Sequence, residues 1–313
     1  GGSPYVALVL VRYIDAGRQR DAGQVLYLDE VLWNHVIELP ETAHRFLEVI
    51  AVAGQPLEMR HVFQASQLEQ LNPRDLRFLH TGRFIRSTGT GLEDEVATFH
   101  DRVRESVVDH LDADRLKQHH LSLGDTLAED PNADAELVAH CYHQSGKNSK
   151  ACRFYIKAAD ATATALAFTR AAELYRFSLQ LLEPRSDKEF VLRKKLADAL
   201  ASAGRGTEAA EEYQTAARLA DGSERIELDS LAAFHHCTGG RIEKGRRLLQ
   251  QALKRVGLKF SDSSIRNLLG LVKERLLLVL GRYRFKPRAE KDIDARVLVK
   301  IDTAWRAATA LSL

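Results

Sequence analysis

Apolar residues recur at helical spacing along most of this chain. In "LDEVLWNHVIELP" (28–40), Val31, Leu32, His35 and Val36 share one helical face, and Pro40 follows. "ETAHRFLEVIAVAG" (41–54) repeats the pattern with Ala43, Phe46, Leu47 and Ile50, ended by Gly54. A third helix is expected over 58–65. A fourth, "NPRDLRFLHTG" (72–82), has Asn72 as its cap and Pro73 at the first helical position. "RFIRS" and "EVATF" flank the Gly-rich turn "TGTG" and read as two short strands in a hairpin. The apolar stretch 5–16 is ambiguous: Val6, Val9 and Val11 favour strand, and periodicity does not decide between strand and helix. Three or four helices followed by a hairpin read as a winged helix.

From about residue 114 only helices are expected, and they repeat. "AAELYRFSLQLL" (171–182) aligns with "AAEEYQTAARLA" (209–220), so that Ala171, Tyr175 and Ser178 fall on Ala209, Tyr213 and Ala216, a period of 38. Gly245, Leu249 and Ala252 follow at a period of 36, and Ala151, Tyr155 and Ala158 form an earlier, offset match. Small residues at the first and eighth positions, with a large one at the fifth, resemble the second helix of a tetratricopeptide (TPR) repeat. Leu196, Ala197 and Leu200 fit the first helix of such a unit. Helices that pack about 8–10 Å apart need short side chains at the crossing. A lone hairpin leaves an apolar face uncovered, so units stack in a row. Irregular periods mean degenerate repeats, and an irregular helical bundle is the competing reading.

Residues 254–300 carry 13 Lys or Arg against 5 Asp or Glu. Within them, "IRNLLGLVKERLLLVLGRYRFK" is an apolar helix with basic flanks. Further solenoid helices with a solvated basic face are the preferred reading; a helix lying on a membrane surface is the alternative.

Composition narrows the class. The chain has 313 residues, enough for two or more units. Its formal charge of +2 supplies no global drive toward nucleic acid or membrane. Cys141, Cys152 and Cys237 are far apart, which argues against a disulfide framework and for a reducing, cytoplasmic setting. The longest apolar run, Val6 to Val11, is far short of the roughly 20 residues of a spanning helix. No signal peptide is visible. The chain starts without Met and stops inside helical sequence, so a piece of a longer protein is expected.

Three stretches carry a family resemblance. "GGSPYVALVLVRYI" resembles the end of the lid helical domain in STAND-type ATPases, signal-transduction NTPases of the AAA superfamily, where a Gly-x-Pro turn leads an apolar helix. "LDEVLWNHVIELP", "FLEVIAVAG" and "ATFHDRVRESVVDHL" together look like the winged helix that follows that lid. "IEKGRRLLQQALKRVGL" and "IDTAWRAATALSL" are similar to the helical region of large bacterial serine/threonine protein kinases that carry such an ATPase and TPR-like repeats. The resemblance spans nearly the whole chain and is strongest at 97–111 and 295–313. It favours helix for 5–16. It implies that His100, in a family His-Asp pair, senses nucleotide by reaching the β-phosphate of ADP, and that Pro4 packs on the adenine. A charge-assisted N–H bond to phosphate suits the first role. Asp101 is expected to cap the helix 102–111.

The expected architecture is therefore all-α with one small hairpin: a lid remnant (1–26), a winged-helix domain (27–112), TPR-like repeats (113–260) and further solenoid helices (261–313). The structural positions of the repeat are Ala171, Tyr175, Ala209, Tyr213, Ala216, Gly245 and Ala252. The sequence contains no GxxxxGK[ST] P-loop, kinase Gly-rich loop, His-Arg-Asp loop or Asp-Phe-Gly. No catalytic residue or cofactor is expected in this segment; ADP or ATP with Mg is implied only for a longer parent, whose upstream ATPase core would be a partner in the same chain. The solenoid is expected to bind an unidentified protein or small ligand. His140 and His143 share a helical face, with Cys141 between them and His119 and His120 nearby, but a structural zinc site needs four ligands and no CxxC occurs. No metal is expected. Trp33 and Trp305 read as core anchors. Arg74, Arg77, Arg83 and Arg86 give a modest basic patch, opposed by Glu93, Asp94 and Glu95. Nucleic-acid binding is thus disfavoured, and the alternative function is an ATP-dependent transcriptional regulator whose winged helix reads DNA.

Overall fold

The computed structural model describes residues 28–68, 72–183, 186–258, 264–281 and 293–312. The expected lid remnant, with Pro4 and the ambiguous stretch 5–16, lies outside them. Contacts divide the chain into two compact units, one ending at Phe154 and the other beginning at Tyr155.

The first unit runs through α1 (Leu28–Val36), α2 (Glu41–Ala53), β1 (Leu57–Glu58), α3 (Met59–Ala65), α4 (Pro73–Thr81), β2 (Ile85–Ser87), β3 (Glu95–Thr98), α5 (Asp101–Asp109), α6 (Ala113–Ala128) and α7 (Ala135–Gln144). Helix α2 is its centre, packed by α3, α4, α5, α6 and β3. Ala43, Phe46, Leu47 and Ile50 are buried as their spacing requires, and the core extends to Leu32, Val36, Val62, Leu79, Val103 and Val107. Gly54 ends α2 in the left-handed conformation, φ 68°. Asn72 caps α4 by accepting the Arg74 amide at 2.9 Å, with Pro73 at the first position.

Residues 85–98 form the expected hairpin, but it belongs to a three-stranded antiparallel sheet of order β1-β3-β2. Leu57 lies opposite Val96, and Ile85 opposite Thr98. Glu58, the expected first residue of the third helix, instead ends the two-residue β1, which is too short to show an alternating pattern. Asp94 organises the β2–β3 loop, accepting the Gly91 amide at 2.7 Å and the Thr88 hydroxyl at 3.2 Å.

The expected boundary at 112 falls inside the first unit. Helix α6 packs on α2 and α3, so the hairpin α6–α7 belongs with the first unit.

Helix α8 (Asn148–Thr164) spans the division. The second unit continues with α9 (Phe168–Gln180), α10 (Lys188–Ser202), α11 (Gly206–Leu219), α12 (Gly222–Thr238), α13 (Ile242–Arg255), α14 (Ser264–Val279) and α15 (Ala295–Leu311). From α9 to α13 each helix packs on the next, as TPR-like hairpins do, and α15 packs on α12 and α13. Ala171, Tyr175 and Ser178, then Ala209, Tyr213 and Ala216, then Leu249 and Ala252 are all buried. Gly245 shows why small residues sit there. A Cβ at that position would lie 2.4 Å from the Cys237 sulfur and 2.7 Å from the Ala233 carbonyl oxygen. Cys141, Cys152 and Cys237 are buried, and no disulfide joins them.

Two readings of the C-terminal segment are corrected. Trp305 is 74% exposed, because the buried side of α15 is made by Thr303, Ala307 and Ala310. Trp33 is half-buried and stacks on His110 at 4.1 Å. In α14, Ile265, Leu268, Leu269, Leu271, Val272, Leu276, Leu278 and Val279 are exposed, where a packed layer would bury one face.

Candidate functional site

His100 sits where β3 gives way to α5. The Phe99 amide donates to the Phe84 carbonyl at 2.9 Å, which carries the strand pairing one residue past β3. His100 keeps extended backbone, φ −147° and ψ 147°, and the chain then turns into the helix. Its Nδ1 accepts the Arg102 amide at 3.1 Å, so the residue that caps α5 is His100, and Asp101 is the first helical residue. This corrects the expected cap. Extended φ and ψ one residue earlier put the imidazole, rather than the carboxylate, over the first amides. Asp101 instead places negative charge in the first turn, which favours the helix dipole.

The cap fixes a tautomer. A nitrogen that accepts an amide hydrogen carries no proton, so in the neutral ring Nε2 holds the hydrogen and is the donor. The site is flanked by Phe99, which is partly exposed and has the Arg83 guanidinium 5.6 Å from its ring centre. On the helix side, a Cβ on Gly54 would lie 4.0 Å from the Arg104 side chain, so the end of α2 closes over α5.

A second polar group is buried in the same unit. Glu48 is 1% exposed in the middle of α2. Its carboxylate meets His119 Nε2 at 3.0 Å, Arg115 at 2.8 Å and His44 Nδ1 at 3.2 Å. Burial pushes this carboxyl up, but the His119 hydrogen bond and the charges of His44 and Arg115 outweigh it, and the net shift is downward. Arg115 and His119 also line an open cleft of about 520 Å³ with Arg45, Gln67, Gln118 and Ser122. His100 does not line it.

The repeats carry a recurrent polar contact that the residue pattern did not reveal. Tyr142, Tyr175 and Tyr213 donate their hydroxyls to Asp125, Asp160 and Asp198 at 2.9, 2.6 and 2.6 Å. In each case the Asp comes from the first helix of the hairpin and the Tyr from the second. A ring or cation from the following helix covers the Tyr: Lys150 at 4.8 Å, Lys195 at 6.0 Å, and His235 stacked at 5.7 Å. Lys150 and Lys195 also bond Asp125 and Asp160 at 2.8 and 2.7 Å. The signal available in sequence was an Asp 15 residues before the Tyr in two consecutive repeats.

His120 and His140 meet edge-to-face at 5.8 Å. Among the described residues no group of three or more His, Cys, Asp or Glu is arranged to hold a metal ion. Arg74, Arg77, Arg83 and Arg86 are exposed, and the Asp94 carboxylate is engaged within the β2–β3 loop.

No protein-family model matches the chain, and no curated protein does. Among solved structures, the chain is similar to a Signal Transduction ATPase with Numerous Domains (STAND) protein with a tetratricopeptide repeat sensor from Pyrococcus horikoshii, at 14% identity and a TM-score of 0.46. The match covers 81% of this chain and 36% of that one, so the chain spans about a third of the length of that protein.

Proposed function

We propose that this chain is the nucleotide-sensing and partner-binding part of a signal-transduction ATPase of the STAND type, within a bacterial serine/threonine protein kinase. The first unit acts as the winged helix that contacts nucleotide held by an ATPase core elsewhere in the protein. The helical repeats of the second unit bind a protein or small-ligand signal. The observation that carries the reading is the capping geometry of His100. By accepting the Arg102 amide on Nδ1, the ring commits Nε2–H as a donor at the mouth of a helix, where the remaining amides and the helix dipole also favour an anion. The four helices and three strands described before residue 101 support the winged-helix assignment, and the buried small-large-small positions of α9, α11 and α13 support the TPR-like one.

Such a sensor works by differential contact: a phosphate bonded in one nucleotide state and not in the other shifts the equilibrium between two arrangements. A complete switch, from 1:99 to 99:1, needs about 5.5 kcal/mol. One charge-assisted bond supplies roughly 1.5–3 kcal/mol, so His100 is one contributor among several. In the protein with its ATPase core, His100→Ala is expected to release ADP faster and to raise basal activity. Unchanged ADP release in that variant would remove the sensor role.

A further inference from the structure

The recurrent Asp–Tyr pairs differ in one respect: the first two hold a lysine and the third does not. Lys150 Nζ meets Asp125 at 2.8 Å and lies 4.8 Å from the Tyr142 ring centre. Lys195 Nζ meets both Asp160 oxygens, at 2.7 and 2.8 Å, and lies 6.0 Å from the Tyr175 ring centre. In the third pair α12 supplies His235 instead, its ring stacked on Tyr213 with 16° between the planes. Burial keeps that imidazole below its ordinary pKa, so at neutral pH it covers the phenol without supplying a charge. One Asp198 oxygen accepts the Tyr213 hydroxyl, and among the described residues no cation lies within ion-pair distance of this exposed carboxylate. The neighbouring cations are engaged elsewhere. Lys195, one turn before Asp198, is held by Asp160. Arg306 of α15, whose charge acts on both Tyr213 and His235, donates to the Ser230 hydroxyl at 2.9 Å. Glu227 also acts on the Tyr213 hydroxyl, so two carboxylates there stand against one guanidinium.

We propose that Asp198 anchors a binding site for an alkylammonium group, a free primary amine or the lysine side chain of a partner, which meets Asp198 as the Lys195 ammonium meets Asp160. The chain itself displays the occupant: a lysine Nζ serves this Asp–Tyr arrangement in both other pairs. An ammonium at Asp198 gains a charge-assisted bond to a carboxylate already oriented by Tyr213, and it matches the excess negative charge beside that hydroxyl. A metal ion does not fit the place, because among the described residues no three His, Cys, Asp or Glu side chains converge to hold one. The site gives a ligand chemistry to the repeats, and it rests on the reading of the repeats as signal-binding only for its role, not for its existence.

Titration calorimetry of the 313-residue chain tests this, with n-butylamine and with an acetylated, amidated lysine peptide as probes, and with n-butanol and the norleucine peptide as uncharged controls at matched ionic strength. Saturable binding of both amines is expected for a lysine side chain as ligand, and of n-butylamine alone for a free amine. Asp198→Asn keeps an acceptor for Tyr213 and should weaken binding about tenfold to a hundredfold, the equivalent of one charge-assisted hydrogen bond. His235→Lys tethers an ammonium beside Asp198 and should abolish binding, whereas His235→Gln should preserve it. Far-UV circular dichroism checks that each variant is folded. A wild type that binds neither amine, binding that survives in folded Asp198→Asn or His235→Lys, or equal uptake of the uncharged controls overturns the site. In the protein with its ATPase core, ADP release measured with and without the bound amine separates site from role: an unchanged rate upholds the site and removes the signal-binding reading of the repeats.

Discussion

Tyr213 donates its hydroxyl to Asp198 at 2.6 Å, and Tyr175 does the same to Asp160 at the same distance and the same 15-residue separation. The bond ties the second helix of each hairpin to the first, and the stacked or cationic group from the next helix closes each Tyr ring off from water. Burial, then the neighbouring Asp, pushes the Tyr213 phenol well up, so it remains a donor throughout the accessible pH range. Tyr213→Phe is expected to cost about 1–2 kcal/mol, because the acceptor is ionised but Asp198 is exposed and can be rehydrated. Urea unfolding should show a lower midpoint with an unchanged slope, and Asp198→Asn in the same background should add little.

Two glycines should respond oppositely to alanine. Gly245→Ala drives a methyl into the Cys237 sulfur and the Ala233 carbonyl at the α12–α13 crossing. Such overpacking typically costs about 1–3 kcal/mol, here with backbone as one of the obstacles. Gly270→Ala meets nothing and should gain the helix-propensity difference, roughly 0.5–1 kcal/mol, for α14. Thermal melts followed by circular dichroism distinguish a lower transition in the first from added helicity in the second.

Much of this organisation was legible in the residues. Gly54, Asn72 and Pro73 mark helix ends by local chemistry alone, and the alternation of small and large residues in α9, α11 and α13 is dictated by how closely those helices cross. What escaped depends on tertiary context. Histidine is not a favoured capping residue, so the sequence points to Asp101, and only the extended backbone of residue 100 makes His100 the cap. The strand Leu57–Glu58 exists only because β3 offers it a partner. Trp305 has the size of a core residue, but whether a helix face is covered depends on what lies across from it, and its own pattern does not carry that information. Pro4, the other expected nucleotide contact, lies outside the described residues.

Acid should destabilise the fold through two histidines buried neutral. Burial, with the like charge of His140, pulls His120 down to about 4. Burial, with Lys244 and Arg241 nearby, does the same to His236, and no hydrogen-bond partner reaches either of its ring nitrogens. Because the folded value lies below the unfolded one of about 6.5, the unfolded chain binds more protons, and stability falls as pH drops from about 6.5 toward 4. At about pH 5 the loss is roughly 2 kcal/mol for each group. Unfolding midpoints measured between neutral pH and about pH 5 should show this slope, and His236→Leu should flatten it.

Glu48 is the charged centre of the first unit, and its removal leaves Arg115, His119 and His44 without their shared acceptor. Glu48→Ala is expected to cost about 1–3 kcal/mol, the range for buried partners left without a hydrogen bond, because the Arg115 side chain remains in contact with solvent. Glu48→Gln should cost less, since the amide oxygen still accepts from one partner. A Gln variant as unstable as the Ala variant would show that the negative charge, and not the hydrogen bonding, holds the site together.

The most direct measurement separates the two duties of His100, capping α5 and donating to phosphate. Asparagine caps a helix well but lacks the imidazole Nε2. His100→Asn should therefore leave the melting temperature of this chain within about a degree of wild type or higher. In the protein with its ATPase core, it should speed ADP dissociation by roughly tenfold to a hundredfold, the equivalent of one charge-assisted hydrogen bond. A wild-type ADP dissociation rate in a fully folded His100→Asn protein would contradict the account.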